Sequence, residues 1–240
     1  MELNATTTVG EIVREDLSTT RLFEEMGIDY CCGGSKSLGE ACETAHREVD
    51  EVLASVGAAL QTSSKKDAVD YARLDIEGLL SHILETHHVY TKRELERLPR
   101  LIDKVLNAHG DRHPELLEIG KQFESLKAEL EPHIWKEEQV LFPYIRNLAE
   151  ARRNGRGSPP SCFGTISNPV GMMRVEHEAA GEALETMRKT ARDYQLPDDA
   201  CISYEALYQD LETFEADLHQ HIHLENNILF PRAVELEEAG

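Results

Sequence analysis

Two copies of one short pattern decide the fold of this chain: HIWKEEQVLFP at residues 133–143 and HIHLENNILFP at residues 221–231. Six of the eleven positions are identical, and a seventh exchanges valine for isoleucine. A histidine and a glutamate four residues apart lie on the same face of an α-helix. The repetition therefore predicts two helices that perform the same task. Its paired positions are His133 with Glu137 and His221 with Glu225.

Both pairs lie on apolar helix faces, which predicts that they are buried. The face of the earlier helix carries Phe123, Leu126, Leu130, His133, Glu137 and Leu141, and the face of the later helix carries Leu207, Leu211, Phe214, Leu218, His221, Glu225 and Leu229. Burial of an ionised carboxylate without a partner is very costly. A cation bound between the carboxylate and the imidazole would offset that cost, so the pattern predicts a metal site.

Four long amphipathic helices are predicted after residue 70, and they favour an all-α four-helix bundle. The first ends before Pro99, and the second follows Pro114 with a kink or break at Pro132. Asn168 is the predicted cap of the third helix. The predicted spans are about 72–98, 115–150, 169–194 and 203–236.

The other two helices are expected to supply further imidazole ligands. His177 falls on the inward stripe of the third helix. In the first helix, His87 is nearer the centre of the apolar face, whereas His88 is in line with Leu84 and Leu95, and periodicity leaves the choice open. Mixed nitrogen and oxygen donors favour a pair of iron ions, with manganese or zinc as competitors. Five further histidines are interpreted as partly exposed or loop residues, namely His82, His109, His113, His219 and His223.

Residues 1–62 are predicted to form a separate small helical domain, and residues 70–240 the bundle. Thr8 or Ser18 is a predicted helix cap, Gly27 a predicted helix stop, and the polar stretch Gln61–Asp67 a linker. Cys31 and Cys32 stand before two glycines. They are interpreted as a simple turn, as a redox-active or metal-handling thiol pair, or as a vicinal disulfide. The three remaining cysteines, Cys42, Cys162 and Cys201, are interpreted as structural.

Composition narrows the function classes. The formal net charge is −20, and an acidic surface of this size disfavours nucleic-acid binding. The first residues have no signal-peptide pattern, and no stretch is apolar enough to span a bilayer. Five cysteines without regular spacing do not suggest a disulfide framework, so a cytoplasmic location without membrane association is expected.

The motifs together resemble the repair-of-iron-centres proteins, which are hemerythrin-like di-iron proteins with an N-terminal cysteine pair. The resemblance rests on Asp29 to Gly34, on both copies of the repeated pattern and on Glu176-His177-Glu178. It implies a non-haem di-iron centre with oxo and carboxylate bridges. The metal ligands it implies are His88, His133, Glu137, His177, His221 and Glu225.

The resemblance also implies a function, namely the repair of iron–sulfur clusters damaged by nitrosative or oxidative stress. Repair would proceed by iron donation, by nitric oxide removal at the di-iron centre, or by both, and nitric oxide reductase activity is left open. Cys31 and Cys32 would take part in the chemistry, and damaged iron–sulfur proteins would be the partners. A homodimer is also left open. The alternatives are a hemerythrin-type sensor or carrier of oxygen or nitric oxide, and iron storage.

Overall fold

The regular structure of the chain is helical, as the sequence predicts. A computed structural model describes residues 3–62 and 71–239, and within these ranges one isolated β-bridge joins Thr8 and Ser37. The α-helices of the described ranges are α1 (Val9–Glu15), α2 (Thr19–Met26), α3 (Leu38–Thr44), α4 (Val49–Thr62), α5 (Ile76–His82), α6 (Val89–His109), α7 (Glu115–Lys136), α8 (Phe142–Arg153), α9 (Ser167–Thr190), α10 (Ile202–Leu224) and α11 (Phe230–Glu238). A short 3₁₀ helix occupies Tyr71–Arg73. The all-α class is confirmed.

The short N-terminal helices begin and end on local signals. Thr8 caps α1 with a capping box, in which its side chain accepts from the Glu11 N–H and Glu11 accepts from the Thr8 N–H. Ser18 precedes α2 but its side chain makes no capping hydrogen bond, so that predicted cap is wrong. Gly27 ends α2 in the left-handed conformation with φ of 70°, as predicted.

The predicted linker Gln61–Asp67 is only partly described. Gln61 and Thr62 belong to the end of α4, and residues 63–67 lie outside the described residues. The division into domains 1–62 and 70–240 stays a prediction.

Helix α6 continues through Pro99, so the predicted end before this residue is wrong. A proline inside a helix removes one backbone hydrogen bond and costs about 3 kcal/mol. The apolar stripe of α6 stays buried on both sides of Pro99, and burial of such side chains outweighs that cost. The stripe consists of Leu95, Leu98, Ile102 and Val105.

Helix α7 also continues past its proline, Pro132, so it is not broken there, and the alternative of a kink stays a prediction. The N-terminus of α9 differs from the prediction as well. Asn168 is already inside this helix and Ile166 is the cap residue, because the Asn168 side-chain amide donates to the carbonyl of Phe163 instead. Helix α9 ends at Thr190, before Tyr194, which has a left-handed backbone conformation.

The chain divides into two compact units. One unit contains Ser81–Asn147 and Ser161–Leu218, and its core lies among α6, α7, α9 and α10. There the ring of Phe214 in α10 lies 5.6 Å from the Phe123 ring in α7 and 6.5 Å from the Tyr90 ring in α6. The predicted apolar stripes of α7, α9 and α10 are buried.

The other unit contains Met1–Leu80, Leu148–Pro160 and His219–Gly240. Arginine side chains join its separate segments. Arg152 donates to the carbonyls of Leu236 and Glu237, and Arg232 donates to the carbonyl of Leu74 at 2.7 Å. None of the helices in the described part of the chain combines the length and apolar character that crossing a bilayer requires.

Candidate metal centre

Three of the long helices widen into a π-helical turn at a predicted ligand. The turns are π1 (Ile83–His88), π2 (Glu137–Leu141) and π3 (Glu225–Leu229). In π2 and π3 the widening is visible in the backbone, since the N–H of Phe142 bonds the carbonyl of Glu137 and that of Phe230 bonds the carbonyl of Glu225. Single π turns inside α-helices occur frequently at functional sites. The repeated sequence pattern therefore corresponds to a repeated backbone irregularity at the two glutamates.

In the unit built on α6, α7, α9 and α10, imidazoles surround the carboxylate of Glu137. This side chain is fully buried. Nε2 of His88 lies 3.4 Å from its Oε2, and Nε2 of His133 lies 3.4 Å from its Oε1. Nε2 of His177 lies 4.0 Å from Oε1 and 3.1 Å from Nε2 of His133. The structure thus brings four of the six predicted ligands together inside one unit.

Two outer carboxylates determine which imidazole nitrogen faces Glu137. Nδ1 of His88 lies 2.9 Å from Oε1 of Glu138, and Nδ1 of His133 lies 2.7 Å from Oε2 of Glu176. A carboxylate accepts at these distances, so each Nδ1 carries the proton and each Nε2 presents a lone pair. The tautomers are assigned from these partners.

A cation fits between these groups. Charge-assisted N–H···O bonds are about 2.7–2.9 Å long, and the 3.4 Å separations between the imidazoles and Glu137 exceed that range. Metal–nitrogen bonds are about 2.0–2.1 Å long. At that length, the 3.1 Å between Nε2 of His133 and Nε2 of His177 corresponds to a nitrogen–metal–nitrogen angle of about 100°. Lone pairs that converge with a carboxylate in a buried position are the donor set of a metal site.

The outer carboxylates are held by lysines. Lys92 donates to Glu138 at 2.7 Å, and Lys136 donates to Glu176. The hydrogen bond from His133, helped by Lys136, lowers the pKa of Glu176 to about 2. Burial opposes the charge of Glu138, but the bonds from Lys92 and His88 lower its pKa below the usual value. Both glutamates therefore remain anionic acceptors for the ligand imidazoles.

No role of Glu138 or Glu176 is predicted from the sequence. The sequence nevertheless contains a signal for them, because each glutamate directly adjoins a predicted ligand.

The geometry also distinguishes the two neighbouring histidines of π1. His88 faces Glu137, whereas Nδ1 of His87 lies 3.1 Å from Oδ1 of Asp217.

The remaining two predicted ligands lie together in the other unit. Nε2 of His221 is 3.0 Å from Oε1 of Glu225, and both side chains are at most 2% exposed. This is the same four-residue spacing as His133 with Glu137. Each copy of the repeated pattern therefore carries one buried histidine–glutamate pair.

Two of the histidines interpreted as partly exposed or loop residues are buried, so that interpretation is wrong for them. His109 is 7% exposed and His223 is fully buried. Nδ1 of His223 lies 3.0 Å from the amide nitrogen of Asn227. Burial lowers the pKa of His223 to about 4, which keeps its imidazole neutral at pH 7.

The cysteine pair lies in a tight loop organised by Asp29. The Asp29 carboxylate accepts from the backbone N–H groups of Cys31, Cys32 and Gly33 at 2.8–3.0 Å. Cys31 is buried and Cys32 is partly exposed, and both are free thiols with their sulfurs 3.7 Å apart. The hydrogen bond with Cys32 and burial raise the pKa of the Cys31 thiol. The donor atoms of Asp29, Cys31 and Cys32 lie within 4.8 Å of one another.

This loop rests on π3, within the same unit. The side-chain amide of Asn227 donates to the carbonyls of Tyr30 and Cys31 at 3.2 Å, and that of Asn226 donates to the carbonyl of Cys31 at 3.4 Å. Asn226 directly follows Glu225 in sequence. The cysteine loop is therefore in contact with a turn that carries a predicted ligand.

Gly34 allows this close approach, and its replacement by alanine should destabilise the protein. A Cβ atom at Gly34 would lie 2.5 Å from Oδ1 of Asn227, whose amide is already fixed by hydrogen bonds. We expect Gly34→Ala to lower the free energy of unfolding by about 1–3 kcal/mol, as overpacking does in a tight interior.

Chemical denaturation of the full chain measures this effect, and Gly57→Ala is the matched control. A Cβ atom at Gly57 meets nothing within 4 Å in helix α4, so alanine there should be neutral or stabilising by up to about 1 kcal/mol. Equal unfolding midpoints for Gly34→Ala and the wild type would show that the contact with Asn227 does not constrain the loop.

Comparisons with known proteins agree with these motifs. Residues 79–233 match the hemerythrin HHE cation-binding domain, and residues 5–60 match a domain of unknown function, DUF542. The chain is 35% identical over 217 residues to a probable iron-sulfur cluster repair protein of Haemophilus influenzae, covering 90% of this chain and 91% of that protein. It is 33% identical over 215 residues to the iron-sulfur cluster repair protein YtfE of Yersinia pseudotuberculosis, covering 90% of each.

The match to the HHE domain covers more than half of the chain and contains all six predicted ligands. The two relatives each match over 90% of the chain. The chain therefore belongs to the hemerythrin HHE cation-binding domain family, and it carries a DUF542 domain ahead of the HHE domain.

Proposed function

We propose that the two sets of buried ligands hold one pair of iron ions, with Glu137 and Glu225 as bridging carboxylates. The proposal is supported by the duplicated histidine–glutamate pair, by the π turn at each glutamate, and by the matched domain, which includes every ligand. Nitrogen and oxygen donors without thiolates favour iron over softer metals. The proposed ligands are His88, His133, Glu137, His177, His221 and Glu225.

The residues of the chain have distinct parts in this centre. Glu138 and Glu176 orient His88 and His133, and the lysines keep these carboxylates charged. Apolar side chains of the buried stripes exclude water from the ligands. Bound ferrous ions would supply electrons and open coordination positions for a small ligand such as nitric oxide or oxygen.

We propose further that the protein repairs iron–sulfur clusters damaged by nitrosative or oxidative stress. The observation that carries this function is the contact between the cysteine loop and π3, where Asn226 and Asn227, which directly follow Glu225 in sequence, donate to the carbonyl of Cys31. Thiolates are strong ligands for iron and for redox chemistry. A thiol pair attached to a ligand-bearing turn suits the transfer of iron or electrons from the centre to a damaged protein. The names of the two relatives support the same function.

A sensor or carrier of oxygen or nitric oxide remains the alternative, but it gives the cysteine loop no task. The proposed partners are damaged iron–sulfur proteins, rather than nucleic acid, which the net charge of −20 disfavours. The cysteines of the described residues are free, which suits the reducing cytoplasm that we propose as the location.

One experiment separates the two modes of repair. The reduced, iron-loaded protein is incubated with nitric oxide and, in a parallel sample, with an aconitase-type enzyme whose cluster has lost iron. Nitrous oxide formation and transfer of ⁵⁷Fe are followed independently. Restored enzyme activity with ⁵⁷Fe in its cluster supports donation, and nitrous oxide formation supports nitric oxide removal. Absence of both, with the iron centre intact, would contradict the repair function.

A further inference from the structure

A second group of metal-binding side chains lies in the unit built on α6, α7, α9 and α10, among residues that the proposed iron centre does not use. His109 is the last residue of α6, His113 lies in the connection to α7, and Asp199 lies in the loop before α10. One donor atom from each side chain lies within 4.8 Å of the others. Three separate chain segments thus place two imidazoles and a carboxylate at one point.

His113 is oriented in the same way as the histidines around Glu137. Its Nδ1 lies 3.1 Å from Oε1 of Glu115, and its Nε2 lies 2.9 Å from Oδ1 of Asp199. The other oxygen of Asp199, Oδ2, accepts from Arg112 at 2.6 Å. An imidazole held by a carboxylate at one nitrogen presents its other nitrogen for coordination. Arg112 orients Asp199 and leaves Oδ1 directed at His113.

His109 and Cys201 add a second pair of donors. Nε2 of His109 lies 3.2 Å from Sγ of Cys201, while Nδ1 of this buried histidine has no hydrogen-bond partner among the described residues. Cys201 directly precedes α10 and its side chain is exposed.

Ion pairing alone does not account for the whole group. A protonated His113 between Glu115 and Asp199, with Arg112 beside it, would satisfy those four side chains. It does not involve His109, whose Nε2 shares a hydrogen bond with the Cys201 thiol and whose donor atom lies within 4.8 Å of those of His113 and Asp199.

We propose that His109, His113 and Asp199 bind a zinc-like divalent cation, with Cys201 as the fourth donor. Zinc takes nitrogen, oxygen and sulfur ligands in a tetrahedral arrangement, at about 2.0–2.3 Å. Donors at those bond lengths are separated by about 3.3–3.7 Å. The His109–Cys201 and His113–Asp199 distances are 3.2 and 2.9 Å, and the donors of His109, His113 and Asp199 lie within 4.8 Å of one another. Cys201 is not a member of that group, so its sulfur would move toward the ion on binding. The ion would displace a proton from His113 and join the end of α6 to the starts of α7 and α10.

Cobalt(II) tests this site, because it takes the same ligands as zinc and absorbs light. The full, iron-loaded chain is titrated with Co²⁺ while its iron content is measured. We expect one cobalt per chain in addition to the iron, with a thiolate-to-cobalt charge-transfer band in the near ultraviolet. His113→Gln and Asp199→Asn should weaken cobalt affinity by about tenfold or more, in the range by which even outer partners change metal affinity. Cys201→Ser should abolish the charge-transfer band.

Matched controls are His46→Gln and Cys162→Ser, which alter an exposed histidine and an exposed cysteine that are not members of this group. Both should bind cobalt like the wild type, and circular dichroism checks that every variant is folded. Cobalt uptake that occurs only as iron is lost, or that His113→Gln and Asp199→Asn leave unchanged, would overturn the site. A charge-transfer band that persists in Cys201→Ser would overturn the role of this cysteine. Since the readout is cobalt and not repair, failure of the repair function would leave the result interpretable.

Discussion

Iron content should fall from about two ions per chain to one or fewer when Glu137 is replaced by alanine, as expected for a paired-metal site. Both oxygens of this buried carboxylate face imidazole nitrogens, so its loss removes the central donor of the cluster. Glu225→Ala should have the same effect, since Glu225 is the corresponding glutamate in the second copy of the pattern. Metal analysis after anaerobic reconstitution with ferrous iron measures the loss.

The same variants should lose bound metal, whereas their free energy of unfolding should change much less. In the proposed centre a bound cation compensates the charge of these buried carboxylates, so the apo wild type should melt at a lower temperature than the iron-loaded form. Glu178→Ala is the matched control, since Glu178 is exposed and adjoins the ligand His177. Glu176→Gln is an intermediate case that weakens iron affinity by about 10–100-fold, because it alters only the outer partner of His133. Two retained ions in Glu137→Ala, or identical melting of apo and iron-loaded protein, would refute the bridged pair.

Replacement of both Cys31 and Cys32 by serine should leave the iron content of the protein unchanged. It should slow cluster repair by at least about tenfold, because a hydroxyl binds iron much more weakly than a thiolate does. Asn227 holds the backbone carbonyl of Cys31, not its sulfur, so serine preserves the contact with π3. The variant should therefore keep the charge-transfer absorbance of an oxidised bridged di-iron centre.

Recovery of activity in an iron-depleted cluster enzyme, followed with time, measures the repair rate. Cys162→Ser is the control, because Cys162 is an exposed cysteine far from the loop in sequence. A double-serine variant that repairs as fast as the wild type would mean that the pair serves only as a turn. Loss of iron from that variant would instead show that the sulfurs contribute to the metal centre.

Periodicity could predict the buried faces but not the ligand in the first helix. The apolar stripe of α5 leads through Ile83 to His87, whereas the stripe of α6 continues from His88 through Leu95. A π turn contains one residue more than the regular spacing, so no single helical phase fits both stripes. Each histidine is consequently buried, and the tertiary contacts with Glu137 and Asp217 distinguish them.

Adjacency to a predicted ligand could mark Glu138 and Glu176 in the sequence, but it could not predict which histidine each of them orients. Glu176 precedes a predicted ligand of its own helix, yet its carboxylate orients His133 in α7. The contact depends on how α7 and α9 pack, which no local spacing encodes. Pro99 illustrates the opposite case, since a strong local signal for a helix end is outweighed by the burial of Leu98 and Ile102.

The π turns have a consequence for how this chain tolerates changes in length. Deleting one residue from π2, such as Gln139, would allow the helix to close as a regular α-helix. Because the wide turn holds one residue more than a regular turn, the loss of that residue would leave α8 close to its present rotation about the helix axis. Buried residues of α8, such as Ile145 and Leu148, would stay near their present positions. A deletion in the regular part of α7 would instead turn the residues on one side of it by about 100° relative to the other side, so the π turn is the place in this helix where a change of one residue in length is least disruptive.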